Sequence, residues 1–149
     1  MTYLLDTNHC IYLINGLEKT PEKRSCEESH VIQAVRSLDD DEILYMSEVT
    51  LAELYYGAAL SKRESQNIQK IEILTKFANL LSLTIEDWKI FGRIKALLRK
   101  KGKKMSDFDL LIACLGQRNH CTVVTNDEGF DNLPGHFMWV NWAVTGHDN

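Results

Sequence analysis

The sequence predicts an α/β fold in which a central parallel sheet of about four to five strands lies between helices. Short apolar runs of strand length alternate with longer segments whose apolar residues recur at helical spacing. The chain has 149 residues, of which 44% are hydrophobic, and this suits one domain with a real core. It has no internal repeat or Pro-rich linker. We therefore expect residues 1–149 to form a single domain.

The first half of the chain is predicted to contain two strands and four helices. The strands are the apolar runs at residues 3–5 and 43–46. The first helix follows at residues 8–15 and is closed by Gly16, since glycine is common at helix C-termini. The polar residues 17–29 are expected to form a loop. Three more helices are predicted at residues 31–38, from residue 47 past Gly57, and at residues 64–77.

The second half is predicted to contain three strands and two helices. The strands lie at residues 80–83, at residues 122–125 and within the segment FMWVNW at residues 137–142. An amphipathic helix at residues 86–101 ends at Gly102, and the helix at residues 106–116 is apolar nearly all round and therefore buried. In parallel sheets of this kind, ligands bind at the carboxyl ends of the strands.

Four acidic residues from separate segments are predicted to meet at that carboxyl edge. Asp6 directly follows the first strand, and Asp127 comes shortly after the fourth. Glu53 lies early in the helix after the second strand, and Asp109 begins the helix that leads into the fourth. Each acid alone has an ordinary interpretation as a helix cap, a first-turn acid that suits the helix dipole, or a turn residue.

Together, the four acids indicate a cation site. Leucines flank them, and several carboxylates in apolar surroundings raise one another's pKa unless a cation neutralises them. Hard oxygen ligands select Mg²⁺, with Mn²⁺ as a substitute. Such a cluster is typical of metal-assisted phosphodiester hydrolysis, in which a metal-bound water attacks the phosphorus.

Charged residues close to Asp109 leave further interpretations open. Asp107 points roughly 200° away from Asp109 on a regular helix, so we expect it to favour the helix dipole or to bind a water outside the metal's own ligands. The basic run at residues 99–104 either ends a helix in solvent or forms a rim that holds phosphates. Its cations are Arg99, Lys100, Lys101, Lys103 and Lys104.

The overall composition excludes few partners. The net charge of −4 argues only weakly against nucleic acid, because the charges are unevenly distributed. No apolar run reaches the ~20 residues of a membrane span, and the N-terminus shows no signal-peptide pattern. We therefore expect a cytoplasmic protein whose cysteines are reduced.

Four segments, by their order and approximate spacing, resemble PIN-domain ribonucleases and, within them, the VapC toxins of bacterial toxin–antitoxin pairs. They extend over nearly the whole chain and read LLDTNHCIYLI, SEVTLAELYYGA, KKMSDFDLLIACLG and VVTNDEGFDNLPG. The resemblance implies a PIN-like α/β/α sandwich. It places the family's catalytic and metal-binding acids at Asp6, Glu53, Asp109 and Asp127. The supporting polar groups it implies are Asn8, Thr125 and Asn126.

The resemblance also implies an activity and a setting. The activity is Mg²⁺-dependent endonucleolytic cleavage of RNA, with a transfer RNA or ribosomal RNA loop as the substrate. The setting is a homodimer inhibited by a cognate antitoxin. Exposed aromatic side chains could stack on RNA bases, although core or dimer packing is the preferred interpretation for each of Tyr55, Tyr56, Trp88 and Phe108.

The chain departs from the family pattern in two places. Residues 17–41 form a longer segment than in many relatives, and Ser106 and Asp107 stand where the family has a glycine or proline before its third acid. His9 is the histidine nearest the acids in the sequence and is expected to face away from them, at the surface or in a dimer interface.

Other functions meet specific obstacles in the sequence. A receiver-type signalling domain has an acidic pair after its first strand and a late lysine, whereas this chain has Asp6 alone and no lysine after Lys104. A phosphatase with an Asp nucleophile places a second Asp two residues on, where Asn8 stands. A PIN fold that only binds RNA or protein remains the main alternative, although binding alone does not require all four acids.

Overall fold

The computed structural model describes residues 1–144. Within them, a five-stranded sheet has the order β3-β2-β1-β4-β5, and every neighbouring pair of strands is parallel. The strands are β1 (Thr2–Leu5), β2 (Ile43–Ser47), β3 (Asn79–Leu81), β4 (Thr122–Val124) and β5 (Trp139–Val140). The predicted parallel α/β sheet is confirmed, and each predicted strand is present with slightly different ends. Residues 145–149 of the predicted domain lie outside the described part.

Six α-helices in the described residues cover both faces of the sheet. They are α1 (Thr7–Glu18), α2 (Cys26–Arg36), α3 (Glu48–Leu60), α4 (Glu64–Phe77), α5 (Ile85–Lys100) and α6 (Asp107–Arg118). One layer of helices packs on each face of the sheet. Leu4 and Leu5 show this, because neighbouring residues of a strand point to opposite faces. Leu4 packs with α5 and α6, Leu5 packs with α1 to α4, and both side chains are fully buried. No helix in residues 1–144 is long and apolar enough to cross a membrane.

The predicted end of the first helix is wrong. Gly16 lies inside α1, which continues to Glu18. A Cβ at Gly16 would lie 2.6 Å from Cδ1 of Ile32 in α2. Glycine is therefore favoured here because α1 and α2 pack closely, and it does not end the helix.

The loop predicted at residues 17–29 is present but shorter, because only residues 19–25 lie between α1 and α2. The segment contains the end of α1, a short 3₁₀ helix at Pro21–Lys23 and the first residues of α2. α2 begins with a capping box between Ser25 and Glu28, and Glu28 also forms an ion pair of 2.8 Å with Lys19. The polar residues at the end of the predicted loop are the cap and the first turn of α2.

The carboxyl ends of the central strands form one edge of the sheet, and backbone hydrogen bonds join the segments that leave it. The Asp6 N–H donates to Val124 O (2.9 Å), and the Thr125 N–H donates to Val140 O (2.9 Å). α1 starts directly after β1, and α3 starts directly after β2. The segments that follow β2, β1 and β4, which are neighbouring strands, thus leave the sheet side by side.

Candidate active site

Asp6 lies in the joint between β1 and α1, where it is the N-cap of the helix and only 4% exposed. Its Oδ1 accepts a hydrogen bond from the backbone N–H of His9 (2.8 Å). The same oxygen lies 2.9 Å from the ring Nδ1 of His9. The carboxylate is therefore held in a buried place by the first turn of the helix that it caps.

Glu53 lies in the second turn of α3 and is half-buried. Its Oε1 accepts a hydrogen bond of 2.6 Å from the hydroxyl of Thr7, the first residue of α1. The Thr7 hydroxyl also lies 3.1 Å from that of Thr50, one turn before Glu53. These contacts bring the Glu53 carboxylate toward the segment that carries Asp6.

Asp109 lies in the first turn of α6, and Ser106 is the N-cap of that helix. The Ser106 Oγ accepts a hydrogen bond from the Asp109 N–H (3.1 Å) and lies 2.6 Å from Oδ2 of Asp109, to which it donates. The serine that departs from the family pattern therefore orients the third acid.

Asp127 follows β4 and is the N-cap of a 3₁₀ helix at Glu128–Asn132. Its Oδ1 accepts a hydrogen bond from the Gly129 N–H (2.9 Å), and its own N–H donates to Oγ1 of Thr125 (3.0 Å). Thr125 is fully buried. The hydroxyl of a buried threonine thus fixes the backbone that carries the fourth acid.

A chain of amides runs beside Asp127. The Asn8 Nδ2 donates to Oδ1 of Asn126 (3.3 Å), and the Asn126 Nδ2 donates to the hydroxyl of Tyr12 (3.3 Å). Asn8 and Tyr12 both belong to α1. These hydrogen bonds join the start of α1 to the loop after β4.

The carboxylates influence one another electrostatically. The pKa of Asp109 is raised from 3.8 to about 6 by burial, by the Asp127 carboxyl within hydrogen-bonding reach and by the charge of Glu53, against the lowering effect of the Ser106 hydrogen bond. The charges of Glu53 and Asp127 therefore act on Asp109, although the three acids come from separate segments.

The set of donors fits a hydrated divalent cation. Among residues 1–144, no three or more Asp, Glu, His or Cys side chains lie together closely enough to hold a metal ion directly. Mg²⁺ keeps several of its waters and takes only one or two protein carboxylates directly. Carboxylates spaced around an edge, with one pKa raised by the others, suit an ion of this kind better than a structural metal.

The comparison with known families agrees with this arrangement. The family model described as "PIN domain" matches residues 3–135 of this chain, which is most of its length. The chain belongs to the PIN-domain family. The predicted resemblance is thereby confirmed, and nucleases of this family generally depend on divalent metal ions.

Similar proteins extend over the whole PIN domain. "Ribonuclease VapC2" of Rickettsia felis is 30% identical over 143 residues, which cover 95% of this chain and 98% of that protein. "Ribonuclease VapC1" of Haemophilus influenzae is 31% identical over 144 residues, which cover 96% and 99%. The crystal structure of VapBC2 from Rickettsia felis bound to a DNA fragment from their promoter matches with a TM-score of 0.81 at 29% identity, covering 95% of this chain and 99% of that chain. A more distant relative is the "tRNA(fMet)-specific endonuclease VapC" of Salmonella typhimurium, 28% identical over 137 residues, which cover 91% and 94%.

Asp107, the additional acid of this PIN domain, forms an ion pair with Lys95, with Oδ1 and Nζ 2.8 Å apart. Both side chains are more than half exposed. Asp107 thus contacts α5 from the first turn of α6, where an acid also suits the helix dipole. Whether it also holds an outer water stays a prediction.

The basic run forms one wall of a cleft beside the start of α6. Arg99 and Lys100 end α5, and Gly102 has a φ of 68° that turns the chain toward Lys103 and Lys104. The cleft has a volume of about 390 Å³ and ends at Met105, Asp107 and Leu110. Arg99, Lys103 and Lys104 line it together with Lys95. Cations therefore surround a concave surface in the segment that leads to Asp109.

Core or dimer packing is the preferred interpretation of four aromatic side chains, and their exposure excludes the core while dimer packing stays a prediction. Tyr55, Tyr56, Trp88 and Phe108 are 43%, 68%, 50% and 48% exposed. They are available to a partner or to RNA bases.

Several residues of the site were missed by sequence reasoning. Thr7 and Thr50 support Glu53, and Tyr12 closes the amide chain. The expectation for His9 is wrong, because its side chain is fully buried and contacts Asp6. Its position three residues after an N-cap acid is the signal that could have found it, since such residues share one face of the first turn.

Proposed function

We propose that this PIN domain is a divalent-metal-dependent endoribonuclease toxin of the VapC type. The observation that supports the proposal is the coupling of Asp109 to Asp127 and Glu53, which with burial raises the pKa of Asp109 to about 6. Asp6 directly precedes Thr7, whose hydroxyl donates to Glu53. A carboxyl whose pKa is raised by burial and by neighbouring carboxylates is ionised together with them more readily when a cation is bound. The ribonuclease names of the VapC relatives support RNA as the substrate.

We assign the metal, preferably Mg²⁺ with Mn²⁺ as a substitute, to the four acids. When bound, it supplies an activated water and neutralises charge on the phosphate. The chain's own residues prepare its ligands: Thr7 holds Glu53, Ser106 holds Asp109, and Thr125 holds the backbone of Asp127. Asn8 and Asn126 keep the loop of the fourth acid against α1.

We assign phosphate binding to the basic cleft between α5 and α6. RNA affinity depends mainly on cations that contact phosphates, and this cleft adjoins the helix that carries Asp109. Arg99, Lys103 and Lys104 line the cleft, whereas Lys100 and Lys101 of the same run are exposed but do not line it. We propose that Lys100 and Lys101 add only to the positive charge near the cleft. A transfer RNA is the substrate class that we favour, because the Salmonella typhimurium relative is named for cleavage of tRNA(fMet).

A cognate antitoxin is the partner that we propose. The similar Rickettsia felis structure is a VapBC complex. In this chain, an apolar groove of about 200 Å³ lies between α1, α3 and α4, and Glu53 is on its rim beside Ile11, Leu54 and Ile71. A peptide in this groove would cover one acid of the site. A homodimer in the cytoplasm is the expected setting, as for the family.

RNA cleavage tests the proposal. The purified chain is incubated with transfer RNA and Mg²⁺, with EDTA as one control and with the variants Asp6→Asn and Asp40→Asn. Asp40 is an exposed acid in the loop before β2. We expect cleavage by the wild type and by Asp40→Asn, and a loss of at least about a hundredfold in Asp6→Asn. Equal cleavage by wild type and Asp6→Asn would refute the catalytic assignment, and RNA binding without cleavage by any form would favour a non-catalytic PIN domain.

A further inference from the structure

His9 is a fully buried histidine beside the candidate active site. It is the third residue of α1, and its ring Nδ1 lies 2.9 Å from Oδ1 of Asp6. The edge of the ring packs against Tyr12, with centroids 5.7 Å apart and the planes at 84°. Among the described residues, its Nε2 is buried and has no hydrogen-bond partner. The imidazole is thus enclosed on every side and makes one polar contact, to a catalytic acid.

Helix capping does not account for this contact. The backbone N–H of His9 already donates to Oδ1 of Asp6 at 2.8 Å, and this bond completes the N-cap. The ring adds a second donor to the same oxygen. An apolar side chain would fill the space without an unpartnered buried nitrogen, which is a cost to folding. What the imidazole adds over an apolar side chain is therefore its N–H toward Asp6.

The contact also fixes the tautomer. A carboxylate accepts hydrogen bonds and cannot donate them, so Nδ1 of His9 carries the proton that lies between the two groups. Nε2 then carries no proton and needs no acceptor, and among the described residues no donor contacts its lone pair. With Oδ1 of Asp6 occupied by two donors, Oδ2 is the oxygen left for a ligand.

We propose that His9 is a positioning residue for the metal site: its Nδ1–H fixes the rotation of the Asp6 carboxylate so that Oδ2 faces the cation. The inference rests on the proposed function, because it assumes that Asp6 is a metal ligand. The first turn of α1 then orients two carboxylates, because Thr7 contacts Glu53 and His9 contacts Asp6. Residues that orient a metal ligand in this way commonly change metal affinity by about 10–100-fold when they are replaced.

A matched pair of variants separates the donor from the packing. In His9→Asn, the amide nitrogen stands at the place of Nδ1, whereas in His9→Gln it stands at the place of Nε2. The measurement is the affinity for Mn²⁺ of the full chain, by titration without RNA, together with the Mg²⁺ concentration that gives half-maximal cleavage. We expect His9→Gln to lower the Mn²⁺ affinity and to raise the half-maximal Mg²⁺ concentration, each by at least about tenfold. Both values for His9→Asn should stay within about threefold of the wild type. His136→Asn, at an exposed histidine, is the control.

Equal losses in the two variants, or wild-type affinity in His9→Gln, would overturn the proposal. Should neither variant fold, nitrogen NMR of histidine-labelled wild type decides: we expect the proton on Nδ1, a bare Nε2 and a shift of Nδ1 when Mg²⁺ is added. A proton on Nε2, or no response to Mg²⁺ from a chain that does bind the ion, would overturn it. Failure of the wild type to bind Mn²⁺ or to cleave RNA would instead refute the proposed function.

Discussion

At the scale of single residues, short hydroxyl side chains set the geometry of the acids. Thr7 donates to Glu53 and Ser106 donates to Asp109, each at 2.6 Å. Hydrogen bonds to a carboxylate favour its ionised form, while burial and neighbouring carboxylates oppose ionisation. At Asp109, burial and the neighbouring carboxylates outweigh the Ser106 hydrogen bond, so its pKa is raised to about 6. The residue therefore destabilises the metal-free fold near neutral pH.

Asp109→Asn is expected to stabilise the metal-free protein near neutral pH. The folded state holds the Asp109 proton up to a pH of about 6, whereas the unfolded state releases it near 3.8, so the stability of the wild type rises as the pH falls between these values. After allowance for partial exposure, the gain from Asn is about 1 kcal/mol at neutral pH and vanishes near pH 4. Urea unfolding in EDTA at several pH values measures it. A constant difference across this range would contradict the pKa assignment.

The four candidate acids could be proposed from the sequence because each lies shortly after a strand or in the first two turns of a helix, and the ends of parallel strands share one edge. The residues that hold the acids could not. Thr7 and His9 are ordinary first-turn residues in the sequence, and only their side-chain directions show that one contacts Glu53 and the other contacts Asp6.

At the scale of elements, α1 and α6 carry most of the site, and both depend on close packing. The strands were predictable as apolar runs between polar segments. The start of α2 was predicted too late because its buried apolar residues, Val31 and Ile32, begin only at its middle, so the first turns look like a loop. The pattern Ser25-x-x-Glu28 is a capping-box signal that could have found its start.

Gly116 in α6 gives a test of packing between a helix and the sheet. A Cβ at this position would lie 2.4 Å from Cγ2 of Val123 in β4. We expect Gly116→Ala to destabilise the fold by about 1–2 kcal/mol, because overpacking exceeds the gain in helix propensity. Gly92→Ala in α5, where nothing lies within 4 Å of the new Cβ, is the control and should stabilise by up to about 1 kcal/mol. Equal changes in the free energy of unfolding for both variants would contradict the packing described.

At the scale of the whole molecule, the net charge of −4 conceals a separation of charge. The acids gather at the carboxyl edge, and the basic run lines a cleft at the start of the helix that carries Asp109. We propose that a polyanion is held by the cations while one phosphate meets the acids. The basic run is visible in the sequence, but its role stays open there, because a helix that ends in solvent is also rich in Lys and Arg.

Lys103→Gln with Lys104→Gln tests this use through the salt dependence of RNA binding. We expect the double variant to bind RNA more weakly and the slope of log affinity against log salt to fall by about 1 for each phosphate contact removed. Lys23→Gln with Lys62→Gln, at two exposed lysines elsewhere, should leave the slope unchanged. The same slope in both double variants would assign the basic run to helix capping alone.

The central claim is that the four acids form one divalent cation site, and the most direct test is the melting temperature of the free protein with and without Mg²⁺. At a concentration ten times the dissociation constant, Mg²⁺ should raise the melting temperature of the wild type by about 2–6 °C, from about 1.4 kcal/mol of binding. Asp40→Asn should respond equally, and Asp109→Asn should lose most of the rise. A rise in Asp109→Asn as large as that of the wild type, or no rise in the wild type at any concentration, would contradict the claim.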